Sequence, residues 1–193
     1  MIATILKHCA CPERRGHFGR FVLLAIVAAG LFGALHDQIS YTVSHEYYTK
    51  LKFTQFGLDD IELPDRVKAS IVGFLATWWM GLLLGVLTGA AAYLYETPEQ
   101  MRRALLWSIP PAIALALSVA LLGLALSWLL TAVWKSSNLN VFLPNNLDAP
   151  RDFFCAACMH SAAYLGGALA VPTLWYAHYR RSRVANTSPN VPA

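Results

Sequence analysis

Apolar residues run in four long stretches, about Phe18 to Leu35, Ala69 to Tyr95, Ala104 to Trp134 and Phe153 to Tyr179, and nearly all charge lies between them. A hydrocarbon core about 30 Å thick takes roughly 20 helical residues to cross, so each stretch is long enough to span it. In lipid only a helix or a closed barrel satisfies every backbone amide, and runs of this length read as helices. The pattern predicts an all-α integral membrane protein: a four-helix transmembrane bundle forming a single membrane domain over residues 1–181, with an external capping loop between helices 1 and 2. Basic residues before the first stretch imitate the start of a signal peptide. Phe32 stands at −3 to Ala34, however, so no small-x-small cleavage site follows and the segment reads as an uncleaved anchor. The tail from Ser182 to Ala193, with Pro189 and Pro192 and no apolar period, is expected to be disordered.

Within the second stretch small residues recur every fourth position as Gly73, Thr77, Gly81, Gly85 and Gly89. That spacing lays a groove along one helical face, where another helix packs closely. Ala25, Ala29 and Gly33 repeat the device in the first stretch, and Ala112, Ala116 and Ala120 in the third. The third stretch is also long: counted from Arg103 to Lys135 it covers roughly 48 Å, so it must tilt, bend or project. Pro110 and Pro111 are expected near its start, where first-turn amides need no partner.

Composition sharpens the class. Hydrophobic residues make up 56% of the 193 and charged residues 13%, which excludes an ordinary water-soluble domain. A net charge of +4 would suggest nucleic acid in a soluble protein. Here the bases flank apolar spans, so membrane topology accounts for them and nucleic acid is excluded as a partner. Lys7, Arg14, Arg15, Arg20, Arg102, Arg103, Arg180, Arg181 and Arg183 fall on one side. Lys50, Lys52, Arg66, Lys68, Lys135 and Arg151 fall on the other, with eight of the 11 acids. By the positive-inside rule both termini are cytoplasmic.

Counting depth along the helices locates the candidate chemistry. His36 lies roughly 24 Å along the helix from Arg20, His160 roughly 30 Å from Arg180, and Trp78 roughly 27 Å from Glu96. His36, Asp37, Gln38, Thr77, Trp78, His160 and Tyr164 therefore reach one level near the outer face. Ionisable groups at that depth mark a functional site unless they serve only as interfacial anchors, and both readings stay open. The first helix is expected to end at His36. Loop 1, from His36 to Lys68, interleaves Tyr41, Tyr47, Tyr48, Phe53 and Phe56 with Lys50 and Lys52, as a segment lying on the membrane surface does. Its acids Asp59, Asp60, Glu62 and Asp65 lack EF-hand spacing and read as a solvated loop. Loop 3, from Lys135 to Asp152, with Asn138, Asn140, Asn145, Asn146, Pro144 and Pro150, reads as a turn-rich cap.

Cysteine and histidine patterns add weaker alternatives. His8, Cys9, Cys11 and His17 match no standard zinc spacing. The run from Cys155 to His160 approaches the c-type haem motif CxxCH, but Met159 displaces the histidine, so no covalent haem is expected. Cys155 and Cys158 read as packing residues, with a redox pair or disulfide as the rival. Histidines at both ends of two helices, His17 and His36, His160 and His178, raise a two-haem carrier, which their roughly 27 Å separation disfavours. A single b-type haem between His36 and His160 remains as a lesser alternative.

The runs HDQISY (His36 to Tyr41), EYYTKLKFTQFGL (Glu46 to Leu58), ATWWMGLLLG (Ala76 to Gly85) and HSAAYLGG (His160 to Gly167) resemble an uncharacterised family of bacterial multi-pass membrane proteins. Where that family carries a proline before the Glu46 position and Asn-Ala-Ser after the His160 position, this chain has His45 and Ser161-Ala162-Ala163. The resemblance implies a bacterial inner-membrane location and draws attention to His36, Asp37, Gln38, Glu46, Trp78, Trp79, His160 and Tyr164. It implies no activity.

Three functional readings follow. In the first, a polar pocket under the loop 1 cap binds a divalent metal ion or small ligand. If it is an enzyme, His36 and His160 are metal ligands or acid/base groups, Asp37 or Glu46 orients them, and Gln38 or Tyr164 donates a hydrogen bond. In the second the same pocket binds without chemistry. In the third the protein is an accessory subunit of a larger membrane complex and docks through its small-residue faces. Reporter fusions at Gly57 and at the C-terminus are expected to report opposite sides of the membrane; the same side would sink the four-span topology.

Overall fold

A computed structural model of the chain describes residues 11–133, 143–144 and 146–187. Among them there is no strand. Four helices are long and apolar enough to cross a membrane: α1, Pro12–Val43; α2, Asp65–Ala90; α3, Pro98–Val133; and α4, Pro150–Thr187. The helices overrun the apolar stretches because polar sequence at their ends is capped or finds partners in the protein. Thr97 and Gln100 form a reciprocal capping box, Gln100 N–H to Thr97 Oγ1 at 3.2 Å and Thr97 N–H to Gln100 Oε1 at 3.3 Å, with Pro98 in the first turn. This start lies well before Ala104. Pro110 and Pro111 consequently sit inside α3, a correction to their expected place in its first turn. At the other end α4 continues through Ser182 to Thr187 where a disordered tail was expected. Ser182 and Ala185 are buried there, and the carbonyls of Ala185 and Leu94 accept from the side chains of Gln100 and Asn186.

The described residues divide into two compact units. The first draws on residues 11–29, 78–115 and 167–187, the second on 30–77 and the described part of 116–166. In the first, Phe21, Val22, Tyr95, Met101, Leu105 and Ala185 form a buried core drawn from α1, α3, α4 and the segment that follows α2. Phe18 and Phe21 of α1 lie against Gly89 of α2, and Ala25 lies against Gly81 and Gly85. Arg14 is buried and donates to the carbonyls of Tyr95 and Glu96, closing the backbone that leaves the short 3₁₀ turn Ala91–Leu94.

In the second unit α1 and α2 touch backbone to backbone. A Cβ added at Gly73 would overlap the Gly33 carbonyl, and one at Gly33 would overlap the Gly73 carbonyl and the Thr77 hydroxyl. Between α3 and α4, Gly123 makes room for the Ala162 side chain and Gly166 for the Ala116 backbone. Here α1 does not stop at His36 but runs two further turns to Val43. The reason is a second face: His36, Asp37, Ser40 and Ser44 are all buried, and Asp37 to Ser40 and Ser40 to Ser44 have helical spacing, so protein partners replace the water these groups would otherwise need.

Loop 1 is largely helical. Ser44 accepts from the Tyr47 amide at 3.2 Å and starts the turn His45–Tyr47; a π-helical turn, Tyr48–Lys52, and a last turn, Phe53–Gln55, follow. Gly57, at φ +67, ends the run in a conformation that favours glycine. Tyr47, Tyr48, Phe53 and Leu58 are buried with Val72 of α2 and Phe153 of α4, so this segment is a core layer and not only a surface cap. The larger part of loop 3, with Asn138, Asn140 and Asn145, lies outside the described residues. Replacing Gly73 with Ala is expected to destabilise the protein by about 1–3 kcal/mol in detergent unfolding, since two backbones must separate. Gly16, whose added Cβ meets nothing within 4 Å, serves as the control and should tolerate Ala without loss.

Candidate metal centre

Inside the second unit the extended α1 brings His36 and Asp37 against His160 of α4. His36 Nδ1 lies 3.0 Å from Asp37 Oδ1, and His160 Nε2 lies 3.7 Å from the same oxygen. The two imidazoles meet edge to face with centroids 4.9 Å apart, although 124 residues separate them in sequence. Rings in such contact leave no porphyrin-wide gap, so the b-type haem between them does not fit this geometry. Among the described residues this is the one group of three or more His, Cys, Asp or Glu side chains able to hold a metal ion, with ligand atoms all within 4.8 Å of one another.

Two of its atoms are unusual. His36 Nε2 and Asp37 Oδ2 are buried and have no hydrogen-bond partner, in side chains only 3% and 2% exposed. Each unsatisfied buried polar atom costs about 1–3 kcal/mol, against a total stability of about 5–15 kcal/mol for a typical domain. With Asp37 ionised, its carboxylate can only accept, so His36 Nδ1 carries the proton and Nε2 presents a lone pair.

Two hydroxyls complete the surroundings. Ser40 Oγ lies 3.0 Å and Tyr48 OH 3.3 Å from His160 Nε2. Tyr48 donates to the Asp37 carbonyl at 3.2 Å and also meets Ser40. The Tyr47 ring lies 5.0 Å from the His160 ring and packs on Phe153. Burial, and next the Asp37 carboxylate, push the phenols of Tyr47 and Tyr48 well above the usual range. Burial likewise pulls Lys52 down, opposed by Asp37. Ser40 and Tyr48 were not singled out from sequence as site residues. Ser40, three residues beyond Asp37, would have been found by carrying the helix past His36; nothing in the sequence pattern points to Tyr48.

Other expected members lie elsewhere. Gln38 faces away and donates to the Arg66 carbonyl and Ser70 hydroxyl, both at 2.8 Å. Tyr164 sits one turn from His160, but its hydroxyl donates to the Ala76 carbonyl at 3.3 Å. Trp78 belongs to the first unit and is 41% exposed. Glu46 does not orient a histidine. Its carboxylate accepts from the amides of Asp148, at 3.0 Å, and Ala149, at 2.7 Å, at the start of α4, and pairs with Lys50. His45 pairs with Asp65. Cys155 and Cys158 are free thiols, Cys155 fully buried. His17 pairs with Glu13, and His8 and Cys9 lie outside the described residues. His178, the fourth member of the two-haem arrangement, is held by Ser108 and Tyr95.

No family model, curated protein or solved structure gives a significant match to this chain, so chemistry must be argued from the geometry. Two imidazoles and a carboxylate suit a first-row transition ion such as Zn²⁺ or Fe²⁺ better than Ca²⁺ or Mg²⁺, which prefer all-oxygen shells.

Glu46 supplies a pH test. The Lys50 ammonium and then the Asp148 amide hold its carboxyl down at about 2, against an ordinary value of 4.5. A depressed pKa contributes stability that is complete above the ordinary value and lost as pH falls from 4.5 towards about 2. Protection of the Asp148 and Ala149 amides from hydrogen exchange, relative to their intrinsic rates, is expected to fall over that window. In Glu46→Gln it should be low throughout; protection unchanged by both pH and substitution would show that Glu46 does not hold the start of α4.

Proposed function

We propose that the protein is a bacterial inner-membrane protein of the family it resembles, with both termini cytoplasmic, and that it binds one transition-metal ion at its outer face through His36, Asp37 and His160. The observation that carries this reading is the pair of buried, unpartnered atoms, His36 Nε2 and Asp37 Oδ2, beside a second histidine. An ion held by this cluster would relieve the unpartnered groups, and its charge offsets the buried carboxylate. The distribution of bases supports the orientation, and the runs from His36 and from His160 support the family.

The test is elemental analysis of the protein purified in detergent, followed by uptake of Zn²⁺ after chelation. Wild type is expected to hold one equivalent, and His160→Ala to lose it. Tyr164→Phe, whose hydroxyl is engaged by Ala76, should retain it. A wild-type protein that neither carries metal nor takes up Zn²⁺ would overturn the proposal.

A further inference from the structure

We infer that Tyr48 is a fourth ligand, binding the metal through its phenol oxygen, so that the ion closes a His₂–Asp–Tyr shell and fastens the loop 1 turn to α4. The inference rests on the metal reading above and adds the coordination set. Four metal–ligand bonds of about 2.0–2.2 Å in a tetrahedron place neighbouring donor atoms roughly 3.3–3.6 Å apart. Tyr48 OH lies 3.3 Å from His160 Nε2, and Asp37 Oδ1 lies 3.7 Å from that nitrogen. Both separations are close to those of ligands around one ion, and the ligand atoms of His36, Asp37 and His160 all lie within 4.8 Å of one another. The hydrogen-bond directions agree. Tyr48 OH donates to the Asp37 carbonyl, which leaves its oxygen lone pairs towards Ser40 and His160.

Tyr48 is also held for the purpose. It is fully buried and opens the π-helical turn Tyr48–Lys52, a distortion that frequently accompanies functional sites. Its ring packs against those of Tyr41, Tyr47 and Phe53, and Glu46, two residues earlier, ties the same segment to the start of α4. The Ser40 hydroxyl, already in contact with the phenol oxygen, can turn its proton from the Asp37 carbonyl, 3.5 Å away, to that oxygen once it is anionic. On binding, the O–H bond of Tyr48 breaks, an oxygen–metal bond forms and the proton passes to solvent. No electrons are exchanged. Carboxylate and phenolate together carry two negative charges, which neutralise a divalent ion without an outside anion. A shell closed by four protein ligands is the pattern of a structural ion, whereas catalytic zinc keeps a position open. The chemistry thus favours an ion that fixes the external segment over one that activates water.

The experiment is a Zn²⁺ titration of the chelated full-length protein in detergent, read by tyrosinate ultraviolet difference absorption and by zinc stoichiometry. Wild type should bind one zinc with the appearance of one tyrosinate. In Tyr48→Phe the zinc should still bind, roughly ten- to a hundred-fold more weakly, with no tyrosinate signal. Tyr47→Phe should retain both. Should Tyr48→Phe fail to fold, wild type labelled with ¹³C at tyrosine Cζ gives the same answer, since one of its eight tyrosine resonances must move to the tyrosinate position on adding zinc. One zinc bound with no tyrosinate overturns the role of Tyr48 and leaves the three-ligand site standing. No zinc bound by wild type overturns both.

Discussion

A carboxylate flanked by two imidazoles, enclosed by helices apolar enough to cross a membrane, is the constraint on which the second unit turns. Asp37 is 2% exposed, and one of its oxygens has no partner. Burying such a group without full compensation costs several kcal/mol. Much of the surrounding structure limits that cost. Extending α1 by two turns places Ser40 beside the cluster, and the loop 1 turns bring Tyr48 beside it too. The groups that remain unsatisfied are those a cation would take.

Holding these groups in register depends on how closely the helices approach. Small residues at Gly33 and Gly73 let α1 and α2 touch through their backbones, and Gly123 and Gly166 let α3 and α4 approach closely over Ala162 and Ala116. In lipid there is no hydrophobic drive between such helices, so close packing of this kind is what fixes their rotation and depth. Glu46 adds an anchor: by accepting from two amides that precede Pro150, it ties loop 1 to the start of α4, the helix that carries His160.

How far the sequence disclosed this differs by scale. Four apolar runs and a four-residue glycine period are one-dimensional signals, and they are legible because helix geometry converts spacing directly into a face. Depth counting from Arg20 and Arg180 brought His36 and His160 to one level for the same reason. Rotation was not legible: Gln38 and Tyr164 share that level yet turn to Arg66, Ser70 and Ala76. Nor was the end of α1, because polar sequence beyond His36 reads as leaving the membrane unless its partners on other helices are known. Glu46 was misread because a carboxylate near histidines resembles an orienting group, whereas its actual partners are backbone amides 102 and 103 residues away.

The two buried histidine clusters show why chemistry is assigned to only one of them. In the first unit His178 is fully buried, yet both ring nitrogens are satisfied. Ser108 gives its own proton to the Ala104 carbonyl at 2.9 Å, so its oxygen accepts from His178 Nε2–H at 2.8 Å. His178 Nδ1 then accepts from the Tyr95 hydroxyl at 3.4 Å. Every proton has one place, and no lone pair is left over; that ring links α3, α4 and the end of the α2 segment as a structural group. In the second unit the same accounting does not close. His36 Nε2 and Asp37 Oδ2 have no hydrogen-bond partner, and the neighbouring Ser40 and Tyr48 hydroxyls are engaged with His160 and the Asp37 carbonyl. A hydrogen-bond network has to balance donors against acceptors, and this one has an excess of acceptors. A cation is the species that binds several acceptors while donating no hydrogen bond of its own.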